Sequence, residues 1–136
     1  MDMGVLYHSI PVLGTVHAGF PNIAENYIDN ELNLHKFAVT HPVSTFFLKV
    51  EGDSMLGAGI YPEDILVVDR SLEPRNGSVV VAFLDGEFTL KRYYKKKESI
   101  YLIPANKKYK PIKVEIDQSF EIWGVATYTL HNLKKV

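Results

Sequence analysis

The chain has 136 residues, which is enough for one folded domain and too short for two of ordinary size. Its 15 Lys and Arg residues nearly balance its 16 Asp and Glu residues, so the net charge of −1 gives no overall attraction to nucleic acid or membranes. Hydrophobic residues make up 46%, which excludes disorder of the whole chain, and the absence of Cys excludes disulfides, thiol catalysis and Cys-ligated zinc.

The sequence predicts a cytoplasmic protein without a membrane segment. No stretch reaches the roughly 20 apolar residues that a spanning helix needs. The N-terminus lacks the basic start of a secretory signal, and Pro11 interrupts its apolar residues.

Residues 1–21 predict an extended arm. They contain three glycines and two prolines and no Lys or Arg, and Gly and Pro at this density oppose a regular helix. The arm also carries apolar side chains such as Val5, Leu6 and Leu13, which favour docking over exposure to water. Residues 22–136 are expected to form the folded domain.

Two short helices are predicted next. Asn22 can cap a helix over residues 23–28, with Glu25 placed for a capping box. A second helix over residues 34–39 is expected to end near His41-Pro42, because the residue before a proline disfavours helical geometry.

From residue 44 onward the sequence predicts a compact, curled sheet of short strands, and hence a mainly β fold. The strongest local signal is Asp85-Gly86 between two strands, which is typical of a tight hairpin. The predicted strands cover residues 45–50, 65–69, 79–84, 87–94, 99–103, 112–116 and 120–130.

The segment Gly52-Asp53-Ser54-Met55 follows a predicted strand and carries candidate chemistry. A serine on a tight turn can direct its hydroxyl and its own backbone N–H toward one point, which is what a nucleophile with an oxyanion hole requires. The same pattern also occurs in purely structural turns.

A nucleophilic serine also needs a base. None of the five histidines lies in a triad context, and no pair of them has the spacing of a helical zinc site; they are His8, His17, His35, His41 and His131. The other candidate is Lys91, on the second strand of the predicted hairpin and on the same face as Thr89 and Tyr93. Burial beside a serine would lower its pKa and make it a base, whereas an exposed strand lysine would be inert.

Taken together, these segments resemble the LexA/UmuD family of self-cleaving serine peptidases. The likeness runs from about residue 18 to residue 131. The matching segments are Ala18-Gly19-Phe20-Pro21, Gly52-Asp53-Ser54-Met55, Gly59-Ile60, 64–69, 77–82, 85–91, 102–106 and Ile122-Trp123-Gly124-Val125.

The resemblance implies a Ser–Lys dyad, with Ser54 as nucleophile and Lys91 as general base. The backbone N–H groups of Ser54 and Asp53 would form the oxyanion hole, and no metal or cofactor is implied. The bond cut would be Ala18-Gly19, where a small side chain and a glycine allow close approach to the nucleophile. An Ala-Gly dipeptide taken alone would be coincidence.

Within the family, the 18 residues before that bond resemble the short arm of UmuD-like members, because they are too few for a helix-turn-helix domain. The resemblance therefore implies a homodimeric accessory subunit of an error-prone translesion DNA polymerase. A RecA–single-strand DNA filament would stimulate its self-cleavage, and a UmuC-like polymerase would be its partner. No sequence-specific DNA binding is expected.

Several alternatives stay open at this point. The domain could be a catalytically silent dimeric interaction module, or a LexA-like or phage repressor without its DNA-binding domain. An enzyme acting in trans, like the Ser–Lys signal peptidases, would need a membrane anchor that this sequence lacks. A solvated connection between strands is favoured for Lys95, Lys96 and Lys97, where their charges would protect a sheet edge. A nucleic-acid surface is the alternative.

Overall fold

The computed structural model describes residues 9–16, 18–19 and 30–135. The chain forms two compact units, Met1–Thr40 and His41–Val136. Among the described residues, no helix has the length and apolar character needed to cross a membrane.

The first unit contains a small sheet and one helix. Strand β1 (Ile10–Val12), within the predicted arm, pairs antiparallel with β2 (Asn30–Leu32). Helix α1 (Leu34–Ala38) follows, and the side chain of Asn33 caps it by accepting a hydrogen bond from Lys36 N at 3.0 Å. The second predicted helix is thus confirmed, whereas the one predicted over residues 23–28 lies outside the described residues.

The second unit is built on one seven-stranded antiparallel sheet, which confirms the mainly β prediction. Its spatial order is β3-β4-β9-β5-β6-β7-β8. The strands are β3 (Thr45–Lys49), β4 (Ile65–Asp69), β5 (Val79–Leu84), β6 (Glu87–Lys96), β7 (Ser99–Ile103), β8 (Ile112–Lys113) and β9 (Phe120–Leu130).

The predicted hairpin joins β5 to β6. Asp85 and Gly86 both have positive φ angles, 49° and 86°, as a two-residue turn matched to the twist of its strands requires. The register pairs Leu84 with Glu87 at the turn and Val80 with Lys91 further along. This turn therefore fixes which residues of β6 stand beside the buried strand β5.

Strand β8 is shorter than the predicted strand over residues 112–116. Val114 N still donates to Ile100 O at 2.9 Å, but the chain then turns. Glu115 N donates to Gln118 Oε1 at 2.7 Å, and Gln118 N donates to Glu115 O at 3.1 Å. Local turn hydrogen bonds thus replace the sheet ladder after Val114.

The core comprises two clusters of buried side chains. One cluster contains Val50, Met55, Ile60, Leu66, Val68 and Val81, and the other contains Val80, Ala82, Leu102 and Val125. Strand β5 contributes alternate residues to both, as the two-residue periodicity of a strand requires. Since β5 is buried on both faces, its partner β6 carries side chains into the interior.

A buried carboxylate lies just before β4. Asp64, 1% exposed, accepts hydrogen bonds from Tyr61 N at 2.9 Å and Thr129 Oγ1 at 3.0 Å, and lies 2.6 Å from His131 Nδ1. Burial alone would raise the pKa of this carboxyl, but the hydrogen bonds outweigh it and lower the pKa. Asp64 therefore connects β4 to the end of β9.

A second buried carboxylate, Asp69, ends β4. It accepts from Ser44 Oγ at 3.0 Å, Ser71 N at 2.8 Å and Ser71 Oγ at 2.7 Å, and lies 2.6 Å from His41 Nδ1. Burial opposes ionisation, yet these contacts hold the pKa of Asp69 far below its usual range. Asp69 thus connects β4 to the segment that enters β3.

We predict that Asp69→Asn lowers the free energy of unfolding by about 1–3 kcal/mol at neutral pH, because an amide NH₂ group would face donors with no acceptor. Asp117→Asn, at an exposed carboxyl, is the matched control. Urea denaturation of both variants measures the difference. Since the pKa of Asp69 is depressed on folding, the gap should shrink as the pH falls below about 4; equal stability of both variants at neutral pH would contradict the prediction.

Candidate active site

Ser54 lies on the connection that follows β3. Gly52 has a φ of 85°, so the chain reverses there in a conformation that favours glycine. Before the turn, Val50 N donates to Asp64 O at 2.9 Å, and Glu63 N donates to Val50 O at 2.8 Å. After it, the Met55 side chain is 2% exposed in the core. Ser54 is thus half-buried between two anchored residues.

A second segment, Ala105-Asn106, holds this turn from the side; we call it the strap. Ala105 N donates to Ser54 O at 2.8 Å, and Gly57 N donates to Ala105 O at 2.6 Å. Asn106 Nδ2 donates to Asp53 O at 2.7 Å. A Cβ atom on Gly57 would lie 2.6 Å from Ala105 O, so the close approach of the two segments requires glycine. The strap fixes the backbone on both sides of the Ser54 side chain.

The carboxylate of Asp53 makes further contacts that hold the turn in place. It accepts a hydrogen bond from Tyr109 Oη and lies 3.3 Å from Lys108 Nζ. The Tyr109 hydrogen bond is the main reason that the pKa of Asp53 lies below its usual value, and the same contact raises the pKa of Tyr109. Both groups are solvated, so this contact orients the turn and adds little stability.

Lys91 reaches the serine from β6. Its Nζ lies 3.4 Å from Ser54 Oγ, 2.7 Å from Thr89 Oγ1 and 3.1 Å from Leu90 O. Thr89 stands two residues earlier on the same strand face, so the sheet itself supplies this neighbour. The structure therefore brings together the two side chains that the sequence singled out, 37 positions apart.

The surroundings of Lys91 disfavour its charged form. Burial lowers the pKa of Lys91. Its three oxygen neighbours are neutral, and no ion pair within the described part of the chain includes Lys91. Because desolvation is not offset by a carboxylate, a neutral amine is accessible below the pH at which an exposed lysine deprotonates.

The two backbone N–H groups expected to form an oxyanion hole are those of Ser54 and Asp53. Among the described residues, no protein acceptor takes a hydrogen bond from Ser54 N. Within the same described residues, Asp53 N has no protein acceptor either. Both N–H groups are therefore available as donors beside the hydroxyl.

An apolar cleft of about 270 Å³ lies next to this pair. Thr89, which contacts the Lys91 ammonium, forms part of its wall. The other lining residues are Leu48, Lys49, Val50, Glu51, Leu66, Val81, Phe88 and Leu90. A cleft with this lining suits an apolar stretch of polypeptide.

The remaining candidate residues fall into three groups. His41 and His131 face the buried carboxylates of the fold and not Ser54. Ala18 and Gly19 are exposed, and a Cβ atom on Gly19 would meet no atom within 4 Å. His8 and His17 lie outside the described residues.

Comparison with known proteins bears on what this arrangement does. A family model described as Peptidase S24-like matches residues 11–127. The chain belongs to the S24-like peptidase family. It is 46% identical over 125 residues to Protein MucA of Salmonella typhimurium, across 90% of this chain and 85% of that protein. Protein MucA of Escherichia coli shows the same figures.

The likeness extends to a second group of relatives. The LexA repressor of Shewanella sp. (strain W3-18-1) is 38% identical over 129 residues, across 94% of this chain and 62% of the repressor. The resemblance read from the sequence to the LexA/UmuD family, and to its UmuD-like members, is thereby confirmed. The S24-like family is one of peptidases, and a serine can act as the nucleophile of a peptidase when a neighbouring group removes its proton. The contact between Ser54 and Lys91 is therefore the candidate catalytic arrangement.

Sequence reasoning missed the role of the strap. Leu102-Ile103-Pro104-Ala105-Asn106 was part of the family likeness, but nothing local in it indicates a contact with Asp53, which lies 53 positions earlier. The hydrogen bond runs from an amide side chain to a backbone carbonyl, and such contacts leave no pattern in the sequence.

We predict that Asn106→Ala loosens the Ser54 turn. The variant loses two side-chain hydrogen bonds, and only the one to Asp53 O reaches the turn. Loss of that bond, worth about 1 kcal/mol, should speed hydrogen exchange at the Ala105 N–H, which is bonded to Ser54 O, by roughly fivefold. Native-state exchange followed by NMR measures this rate. Asn132→Ala is the control, because its side chain bonds only to the backbone near the end of the chain. An unchanged rate in Asn106→Ala would show that the strap does not hold the turn.

Proposed function

We propose that this protein is a self-cleaving serine peptidase of the SOS type, in which Ser54 and Lys91 cut the chain's own Ala18-Gly19 bond. The observation that carries the proposal is the approach of Lys91 Nζ to Ser54 Oγ, 3.4 Å, in a member of a peptidase family. The missing countercharge around Lys91 supports its role as base, and the available Ser54 N–H supports an oxyanion site.

The reaction begins with neutral Lys91. As Ser54 Oγ attacks the carbonyl carbon of Ala18, its proton passes to Lys91 Nζ. The distance of 3.4 Å exceeds the roughly 2.6–3.2 Å at which protons transfer, so the pair must tighten when the scissile bond enters, as is common in sites without substrate. The negative charge that develops on the Ala18 oxygen is stabilised by the N–H of Ser54, with Asp53 N as the second donor.

Collapse of this intermediate breaks the bond between the Ala18 carbonyl carbon and the Gly19 nitrogen. Protonated Lys91 gives its proton to the departing amino group of Gly19, and Ala18 stays on Ser54 Oγ as an ester. Lys91 then takes a proton from water, whose oxygen attacks the ester and releases the carboxyl group of Ala18. The proton returns to Ser54, so the site is restored.

Two conditions control the rate of such a reaction. The scissile bond belongs to the same polypeptide, so attack is effectively unimolecular and depends on how often the bond occupies the site. Lys91 must also be neutral. We infer that a RecA–single-strand DNA filament raises the rate by favouring the cleavable conformation, because the chain already holds both reacting groups.

We further propose that the product, residues 19–136, acts as a homodimeric accessory subunit of a UmuC-like translesion DNA polymerase. The support is the similarity to UmuD-like proteins in motifs, together with the 46% identity to Protein MucA. A cytoplasmic location agrees with this role.

We predict that intact-mass spectrometry of the purified full chain at alkaline pH shows loss of residues 1–18. Ser54→Ala and Lys91→Ala should each reduce the rate below detection, because one removes the nucleophile and the other the base. Ser119→Ala and Lys134→Ala, at exposed positions away from the cleft, are the matched controls and should cleave like the wild type.

Each other outcome has a distinct meaning. A chain that stays intact, with or without added RecA filament, would overturn self-cleavage and favour the silent interaction module. Cleavage at another bond would overturn Ala18-Gly19 alone. Cleavage that persists in Ser54→Ala would assign the chemistry to a contaminating peptidase.

A further inference from the structure

Although the net charge is near zero, the basic and acidic residues are distributed unevenly along the chain. Residues 92–113 contain eight Lys and Arg residues and one Glu, whereas the rest of the chain contains seven basic and fifteen acidic residues. These 22 residues run from the end of β6 through β7 to β8, with the connections between them, and the three strands are adjacent at one edge of the sheet. Half of these basic residues therefore lie on the edge strands themselves, namely Arg92, Lys95, Lys96 and Lys113.

Strand register places two tyrosines among these charges. Tyr94 of β6 stands opposite Tyr101 of β7, and Tyr101 stands opposite Lys113 of β8. Residues directly opposite one another share a face, and so do residues two apart on one strand. Arg92 and Lys96 therefore flank Tyr94 on this same face. We call these five residues the Tyr–Lys face.

The two tyrosines differ from their neighbour Tyr93. Tyr93 points to the other face and packs against the cluster around Leu102. Tyr94 and Tyr101 are partly exposed and belong to neither core cluster. Within the described residues, neither ring stacks on another aromatic ring. Packing therefore does not account for two aromatic rings side by side here.

The lysines around them also lack countercharges. Lys96 and Lys113 are exposed strand residues, and no ion pair among the described residues includes either of them. Lys95 and Lys96 both lie on β6, whereas the sequence favoured a solvated connection between strands for them. Arg92 is held in place, since its guanidinium donates to Gly77 O at 2.7 Å.

We propose that the Tyr–Lys face binds single-stranded DNA without sequence preference. Basic side chains neutralise backbone phosphates, and partly exposed aromatic rings stack on bases, which a single strand presents and a duplex does not. An acidic polypeptide would match the charge but would leave Tyr94 and Tyr101 without a role. This surface is separate from Ser54, so the inference does not depend on self-cleavage.

The test is fluorescence anisotropy of a labelled oligothymidylate of about 20 nucleotides, longer than the roughly 4–16 nucleotide sites common for such surfaces, with the purified full chain. Lys96→Glu/Lys113→Glu should weaken binding at about 50 mM salt by at least tenfold. The slope of log affinity against log salt concentration should also become shallower by about 0.7 for each phosphate that the variant no longer neutralises. Lys49→Glu/Lys134→Glu changes the net charge equally outside this face and should bind nearly as the wild type.

A second pair of variants tests stacking. Tyr101→Leu should weaken binding by about tenfold with an unchanged salt dependence, whereas Tyr101→Phe keeps the ring and should retain most of the affinity. Circular dichroism verifies that each variant keeps the β fold.

Three results of the direct binding measurements would overturn the proposal. They are the absence of wild-type binding at low salt, equal binding by the two double-charge variants, and a duplex of the same length binding as tightly as the single strand. Competition by polyglutamate as effective per charge as by oligothymidylate would also overturn it, because charge alone would then explain binding.

Discussion

The burial of the Lys91 ammonium group beside Ser54 is the contact on which the site depends. A lysine in water is protonated at neutral pH and cannot accept a proton. Here the side chain is half-buried, and its neighbours are the oxygens of Ser54, Thr89 and Leu90. These oxygens orient the amine without a negative charge that would stabilise its protonated form, which is the environment that the proposed base requires.

The fold supplies this environment through the hairpin and the turn. The positive φ angles at Asp85 and Gly86 set the register that places Lys91 beside Val80, a fully buried residue of β5. The strap then holds the Ser54 backbone in place through the hydrogen bond from Ala105 N. Each such bond contributes only about 1 kcal/mol, but together with the buried Met55 they leave Ser54 little freedom. Ser54 and Lys91, the proposed nucleophile and base, are thus positioned by separate segments that meet at one edge of the core.

The parts of this arrangement that could be predicted are those with local signals. Asp85-Gly86 predicts a hairpin because few residues accept its backbone angles, and the alternation along β6 places Thr89 and Lys91 on one face. Other features depend on contacts between distant or locally competing groups, which no periodicity encodes. They are the strap, the pairs His41–Asp69 and His131–Asp64, and the early end of β8. The sequence offered a nucleic-acid surface at Lys95, Lys96 and Lys97 only as an alternative, and it did not connect these lysines with the two tyrosines. Only the strand register shows that Tyr94, Tyr101 and Lys113 are neighbours.

The pH dependence of the first-order self-cleavage rate tests the central claim most directly, because only neutral Lys91 can accept the Ser54 proton. The burial that lowers the pKa of Lys91 predicts a rate that rises about tenfold per pH unit and levels off below the roughly 10.4 of an ordinary lysine. A rate that is constant from neutral to strongly alkaline pH, or one that still rises beyond the pKa of an exposed lysine, would contradict a buried lysine base.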